Sequence, residues 1–438
     1  MTSLFGEYGI CGNIDSTLDV HTAFKLGMAI GEYLDGTVAM TTDGRPTSEM
    51  IFSAVSSGLM AVGCDIIVVD TVPSEALQYR IGKRADIEGG IIIADPNDNG
   101  EMYLKCIFGD GLEIAEGAMD KIRATFEEDD GSVYTEGVGK MIDDSDPIPQ
   151  YVSAVLGQFP VKDIRNSNIK VILDCCNCIP SKILVPILTN AVNGPIILNS
   201  TPGNNIPFSE RVNDVKSLIK SNKASVGVIA DSDRMYFLTD KGVLLDDDQT
   251  FSLLAKGILA KSPTSVVKTH FSSDLITETV EKYGGKIVFS TVGLISIIDS
   301  MKEYKCRLGG EDGRYIFPDN QYCYDLGMTM MQMLDCIVKF GKLSNQMKEF
   351  KPHYKYRIDV DCPENYKAPA LEIIREAHTL TLREDKDGPH IAYNDCTVHI
   401  LPRSISGKVV VIAESDDPDI CRLRVMSVAD EFTRFVNS

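Results

Sequence analysis

The chain has 438 residues, enough for about three domains, or four if each is small. Hydrophobic residues make up 44% and charged residues 24%, which excludes a mainly disordered or fibrous chain. With 63 acidic against 43 basic side chains, the net charge of −20 and the lack of any basic patch exclude nucleic acid as a partner.

No apolar run reaches the ~18 residues that a membrane-spanning helix needs. The opening Met1-Thr2-Ser3-Leu4-Phe5 has no basic flank, so no signal peptide is expected and a cytoplasmic location is. The 12 cysteines are scattered, which fits a reducing compartment better than a disulfide framework.

In chain order, Val20, Ala23, Phe24, Gly27, Ile30 and Leu34 fall on one helical face. Val38 to Thr42 reads as a strand, broken by Asp43-Gly44-Arg45-Pro46, and a helix follows from about Ser48 to Val62. Asp65 to Asp70 and Gly90 to Ala94 are short apolar runs of the buried-strand kind. The same rhythm returns with a strand at Lys170–Asp174, a helix near Ser181–Asn190 and a strand at Pro195–Asn199. It returns again with a strand at Val266–Phe271, a helix near Ser273–Tyr283 and a strand at Lys286–Ser290. Thus three similar, mainly parallel α/β units are predicted. The last 85 or so residues differ, with a helix near Ala368–Ala377, strands near Ile391 and over Lys408–Ala413, and a closing helix from about Pro418. That order predicts a small α+β domain with an antiparallel sheet. Acidic runs at Glu127–Gly131 and Asp143–Pro147 read as solvated loops and mark the first boundary. The expected domains are 1–147, 148–248, 249–351 and 352–438.

Four loops could carry chemistry. Ala230-Asp231-Ser232-Asp233-Arg234 follows a strand over Ala224–Ile229 and puts two carboxylates at its carboxyl end. Such a loop suits a hard cation, or is a polar turn whose Asp side chains bond their own backbone. Asp95 ends a buried strand and opens Pro96-Asn97-Asp98-Asn99-Gly100, which taken alone is turn chemistry. Gly309-Gly310-Glu311-Asp312-Gly313 offers a flexible backbone and two carboxylates able to accept from sugar hydroxyls. Pro402-Arg403-Ser404-Ile405-Ser406-Gly407-Lys408 is an anion cradle or a basic surface turn. Cys175-Cys176-Asn177-Cys178 has neither the spacing nor the histidine of a zinc site and reads as a semi-buried loop.

Together these loops resemble the α-D-phosphohexomutase family, the phosphomannomutase, phosphoglucomutase and phosphoglucosamine mutase group, over essentially the whole chain. Leu4 to Gly12 is similar to the family's opening. Ser48-Glu49-Met50, Gly58 to Ile66 and Val72 to Leu77 are similar to its first domain. Asp174-Cys175-Cys176-Asn177 sits where an Asp-Cys-Gly-Asn turn is usual, and Phe317 to Cys323 has an archaeal flavour. The resemblance implies three similar mixed α/β domains plus a C-terminal α+β domain with an antiparallel sheet, around a central cleft. The domains would carry, in order, the nucleophile loop, the metal loop, the sugar loop and the phosphate loop.

What the resemblance implies for function is the interconversion of hexose 1- and 6-phosphates through a phosphoserine, with Mg²⁺ held by three aspartates and that serine. The departures are as informative as the matches. Asp95 takes the serine position of Thr-Ala-Ser-His-Asn-Pro, and Ile229 replaces one of the three aspartates. Cys11 replaces the arginine of the opening, the sugar loop is shortened, and the phosphate loop is altered. Carried over are Asp95, Lys105 and Arg234 as catalytic positions, and Asp95, Asp231 and Asp233 as a weakened Mg²⁺ site. Gly310, Glu311, Asp312, Arg403, Ser404 and Ser406 carry over as substrate contacts. The leading expectation is a protein that binds a hexose phosphate and turns it over poorly or not at all. One alternative is an altered phosphotransferase or phosphatase working through an aspartyl phosphate on Asp95. Another is a non-catalytic regulatory or structural partner of a true mutase. A paralogous mutase and a second copy of the chain are the macromolecular partners to consider.

Overall fold

The structure, a computed structural model, describes residues 4–6, 9–95, 99–128, 137–144, 146–201, 203, 206–379, 381–384, 387–405 and 407–436. The side chains of 116 and 403–405 are outside that description. The chain divides into two compact units: 1–242 with 316–338, and 243–315 with 339–438. Four sheets are present among the described residues.

In the first unit a seven-stranded sheet runs in the order Phe5–Gly6, Gly9–Asn13, Glu101–Phe108, Gly89–Ala94, Val38–Thr42, Ile66–Val68, Met141–Asp143. From Gly89–Ala94 onward the neighbours are parallel, and toward Phe5–Gly6 they are antiparallel. The sequence predicts the three parallel strands Gly89–Ala94, Val38–Thr42 and Ile66–Val68, but neither Met141–Asp143 at their edge nor Glu101–Phe108, which pairs back on Gly89–Ala94. Helices Val20–Leu34 and Pro46–Ala61 pack together against this sheet through their apolar faces. Their closest approach uses two glycines: a Cβ on Gly58 would stand 2.0 Å from the Phe24 carbonyl oxygen, and one on Gly27 would stand 2.2 Å from that of Val55. The first helix starts where the Asp19 side chain accepts the Thr22 N–H at 2.8 Å. The second sheet of this unit has the order Arg234–Leu238, Val226–Asp231, Val171–Asp174, Ile196–Leu198, parallel except for its terminal hairpin.

The acidic stretches are less loop-like than their charge suggests. Glu127 and Glu128 close the helix Glu116–Glu128, and 129–136 lie outside the described residues. Asp143 ends a strand, and Asp144 holds Arg80 at 2.7 Å and Arg84 at 2.8 Å. Ser145 lies outside the described residues.

In the second unit, strands Lys286–Ser290, Ser265–Thr269 and Leu308–Glu311 are parallel neighbours. The antiparallel sheet of the last segment runs Tyr354–Asp361, Lys408–Ser415, Thr397–Ile405, Pro389–Ala392, Leu382–Glu384. Helices Glu364–Ala377 and Pro418–Val436 cover one face, burying Val360, Ile391, Val398, Val411, Val425 and Phe432 in a common core. The two parts of this unit join through Phe271, Leu401, Val410 and Ile412, and through Lys355 Nζ, 3.1 Å from Asp248 Oδ2.

Candidate functional site

The carboxyl ends of parallel strands are where α/β sheets place ligand loops. Val38–Thr42 and Gly89–Ala94 are adjacent parallel strands, and Asp43 and Asp95 follow them directly. Asp95 is fully buried, at 0% exposure. Its Oδ1 accepts the Asn99 N–H at 3.1 Å. Its Oδ2 accepts the Gly100 N–H at 3.0 Å and the Thr47 hydroxyl at 3.0 Å. The Asp95 N–H in turn donates to Asp43 Oδ2 at 2.8 Å, and Arg45 Nη1 lies 3.7 Å from that same oxygen. The side chain thus closes its own loop, a buried carboxylate accepting from the backbone of Asn99 and of the buried Gly100. Pro96, Asn97 and Asp98 lie outside the described residues.

The strands Val226–Asp231 and Arg234–Leu238 form a hairpin in which Asp231 pairs with Arg234 across a two-residue turn. Ser232 takes a left-handed φ of 53° there, and Asp231 and Asp233 are both exposed. Ile229 is fully buried, packed with Ile172, Val215 and Leu238, so its position faces the core and offers no ligand. Among the described residues, no three His, Cys, Asp or Glu side chains converge in a way that could hold a metal. Both oxygens of Asp95 accept hydrogen bonds, from its own loop and from Thr47, while the two carboxylates of the hairpin are exposed.

Lys105 lies on the strand Glu101–Phe108 with Nζ 2.7 Å from Glu113 Oε1. Burial works against its charge, but Glu113, and then Asp233, outweigh that and lift its pKa above the ordinary lysine value. This lysine stays protonated at neutral pH and shares a field with the hairpin aspartate. Arg234 begins the second hairpin strand and is half-buried.

The glycine-rich segment is more ordered than its composition suggests. Leu308–Glu311 is a buried strand, and only Asp312 and Gly313, with φ of 49° and 76°, form the turn. Asp-Gly with both φ positive is the favoured two-residue hairpin turn. Gly310 is required by packing, because a Cβ there would stand 2.5 Å from the Arg314 carbonyl oxygen. Glu311 is 6% exposed, and both of its oxygens lie 3.2 Å from the Gly293 N–H, at the start of helix Leu294–Tyr304. Arg403 and Ser404 lie in the strand Thr397–Ile405, whose register on Lys408–Ser415 shifts between Leu401 and Ile405. Their side chains, and Ser406 altogether, lie outside the described residues.

In the cysteine loop, burial pushes the Cys175 and Cys176 thiols up, and Cys178 Sγ lies 4.0 Å from Asp231 Oδ1. Before that loop, Asp174 is buried in an ion pair with Arg211 at 3.1 Å. Sequence reasoning misses two clusters. The Asp43, Thr47 and Asp95 cluster has a signal, an Asp directly after a strand and Pro46 opening a helix, but Asp43-Gly44-Arg45-Pro46 reads by itself only as a break. The second joins Glu75 and Asp325, both nearly fully buried. Asp325 accepts from the Tyr151 hydroxyl in a short bond, from the Met328 N–H at 2.9 Å and from Asn320 Nδ2 at 2.9 Å. Glu75 Oε1 accepts the Leu326 N–H at 3.4 Å. Burial, and then the charge of Asp325, push the Glu75 carboxyl up to about 7. No sequence signal pairs residues that lie 250 positions apart.

Successive α/β sheets with acidic loops at strand ends, followed by a small antiparallel sheet, define a multidomain α/β protein. The family model for phosphoglucomutase/phosphomannomutase α/β/α domain I matches residues 2–132, and the model for domain III matches 246–354. The chain belongs to the α-D-phosphohexomutase family. It is 28% identical to a phosphopentomutase of Thermococcus kodakarensis, over 94% of each chain. It is 25% identical to a phosphoglucosamine mutase of Methanococcus maripaludis, over 95% of each. Its fold is similar to that of a phosphoglucomutase/phosphomannomutase family protein from Burkholderia thailandensis, with a TM-score of 0.83 and 20% identity over 99% of this chain and 97% of that one. None of the helices among the described residues is long and apolar enough to cross a membrane.

Proposed function

We propose that this chain binds a phosphosugar and turns it over weakly or not at all by the serine route of its family. Asp95 stands at the phosphoryl-carrying position. The observation that supports this reading is the state of its carboxylate, buried and committed to Thr47, Asn99 and Gly100. A phosphoryl carrier must expose an oxygen to phosphorus and then release the group. Attack from Asp95 would take the acceptor from the buried Gly100 N–H, at a cost of about 1–3 kcal/mol, and from the part-buried bonds of Thr47 and Asn99. The side chain acts instead as a fixed negative charge that shapes the loop. Lys105, held protonated, supplies positive charge to a bound phosphate rather than accepting a proton. Arg234, Gly310, Glu311, Asp312, Arg403, Ser404 and Ser406 remain the proposed contacts to sugar and phosphate.

The substrate class is drawn broadly. Relatives carry the names phosphopentomutase and phosphoglucosamine mutase. A structural neighbour, the N-acetylphosphoglucosamine mutase of Aspergillus fumigatus, was solved with GlcNAc-6P and magnesium. For this chain we propose a hexose phosphate as ligand and a weak Mg²⁺ contact at Asp231 and Asp233. The deciding experiment is a coupled assay on glucose, mannose and glucosamine 1-phosphates with the matching bisphosphate and Mg²⁺, alongside calorimetry of binding. Binding without turnover is expected. Turnover in the ordinary range of ~1–1,000 per second overturns the proposal.

A second reading rests on the Thr47 hydroxyl, 3.0 Å from Asp95 Oδ2. An alcohol bonded to a carboxylate has the arrangement of an activated nucleophile. Asp95 would take the hydroxyl proton as Thr47 Oγ1 bonds to phosphorus and the sugar oxygen leaves. Mass spectrometry after incubation with a hexose bisphosphate separates the readings. Phosphate on Thr47 supports the second, phosphate on Asp95 supports the aspartyl phosphate, and an unlabelled chain supports the first.

A further inference from the structure

The strand Tyr354–Asp361 is the outermost of its sheet, so among the described residues one side of its backbone has no strand partner. It is also eight residues long, and all but Ile358 and Val360 are exposed. Natural proteins shield such edges or use them. Side chains alternate across the sheet. Tyr354, Tyr356, Ile358 and Val360 share the face that carries the helix Pro418–Val436, where Val360 is in the core and Ile358 packs on it. Lys355, Arg357, Asp359 and Asp361 share the other face. The charged face is therefore basic in its first half and acidic in its second.

We propose that two copies of the chain pair antiparallel through this strand, about a two-fold axis at Ile358. In that register Arg357 of each copy opposes Asp359 of the other, Lys355 opposes Asp361, and Tyr356 opposes Val360. Shifting by two residues one way sets Arg357 against Arg357, and the other way sets Asp359 against Asp359. An odd shift sets the charged face against the apolar one. One register therefore pairs unlike charges and like faces together, which is how a closed isologous contact is specified. A foreign basic segment would satisfy only the acidic half. The chain itself carries the complement of both halves.

A second observation fits the same occupant. Beside the acidic half of the strand lies a groove of about 410 Å³, floored by Ile358 and Val360 and walled by Met426, Ala429 and Val436 of the closing helix. Tyr356 and Tyr354, at the other end of the strand, are 41% and 42% exposed. Under the two-fold, Tyr356 of one copy falls beside Val360 of the other, at the mouth of that groove, and the fit is reciprocal. Arg357 Nε already lies 2.8 Å from Asp359 Oδ1 of its own strand, so the four charges would form one ring across the axis. Lys355 also holds Asp248, and its ammonium has further donors to offer.

The test is the oligomeric state of the full chain, by sedimentation and light scattering at low salt across a concentration series, with far-UV circular dichroism as the fold control. A dimer is expected, and Arg357→Asp and Asp359→Arg should each weaken it about tenfold or more, because each sets like charges across the axis. The double swap Arg357→Asp/Asp359→Arg restores the opposition and should return the dimer to near its original affinity. A monomer at high micromolar concentration overturns the proposal. So does a dimer that neither single swap weakens, or a double swap that stays monomeric.

Discussion

Replacing Glu75 with Gln should abolish a specific fall in stability between mildly acidic and mildly alkaline pH. Glu75 is 4% exposed, so solvent screens it little. Its carboxyl rises from the ordinary 4.5 to about 7, through burial first and the neighbouring Asp325 second, with Lys105 pulling the other way. Tyr151 and Cys323 face the same pocket and are pushed up by their burial and by these two acids. Proton counting sets the sign. Between 4.5 and about 7 the folded chain keeps the Glu75 proton while the unfolded chain has released it, so stability drops as pH rises. At ~1.4 kcal/mol per pH unit the full loss is about 3 kcal/mol, complete once pH passes the folded value. For a unit of this size that is roughly 6–12 °C in midpoint. The chain has no tryptophan, so melting is best followed by far-UV circular dichroism. Part of that loss falls below pH 5, so between pH 5 and pH 8 the wild type should lose about 2–2.5 kcal/mol more than Glu75→Gln. Parallel losses in the two proteins would refute the buried-carboxyl argument, whatever their absolute midpoints.

Asp95→Ala leaves the Thr47 hydroxyl and the Asn99 and Gly100 amides without their acceptor. A stability loss of about 2–4 kcal/mol is expected in thermal melts, with Asp95→Asn losing less. Gly58→Ala forces a Cβ to within 2.0 Å of the Phe24 carbonyl oxygen, and overpacking of that kind costs about 1–3 kcal/mol or more. Gly157→Ala, where nothing lies within 4 Å, is the control and should melt at or above the wild-type temperature. Magnesium titrated by calorimetry should bind weakly, with a dissociation constant of ~10⁻³ M or above, and Asp231→Asn should remove the signal. Tight binding that survives this change would place the metal elsewhere.

The fold is largely legible in the sequence because its signals are local. Short apolar runs bounded by Gly, Pro and Asp mark strands such as Val38–Thr42 and Lys286–Ser290, and the structure returns both with the same ends. Periodic apolar positions give the helix Val20–Leu34. The strand Glu101–Phe108 escapes because its alternation follows a turn-rich segment and carries Glu101, Tyr103 and Lys105 on one side. The candidate site is only half legible, for a different reason. Loop residue types can be read from composition, but the strand Arg234–Leu238 and the pairing of Asp231 with Arg234 appear only in the structure. What a carboxylate bonds to cannot be read that way. Asp95 and Glu311 look like equally available ligands in the sequence, yet one closes its own loop and the other accepts the Gly293 amide. Sequence also hides Ile229 inside a core and holds Glu75 and Asp325 far apart, although folding buries them together. Buried acids need donors supplied by other strands and helices, and those partners exist only once the sheets have formed. The chemistry of this chain therefore turns less on which acids its loops contain than on which of them the folded backbone has already used.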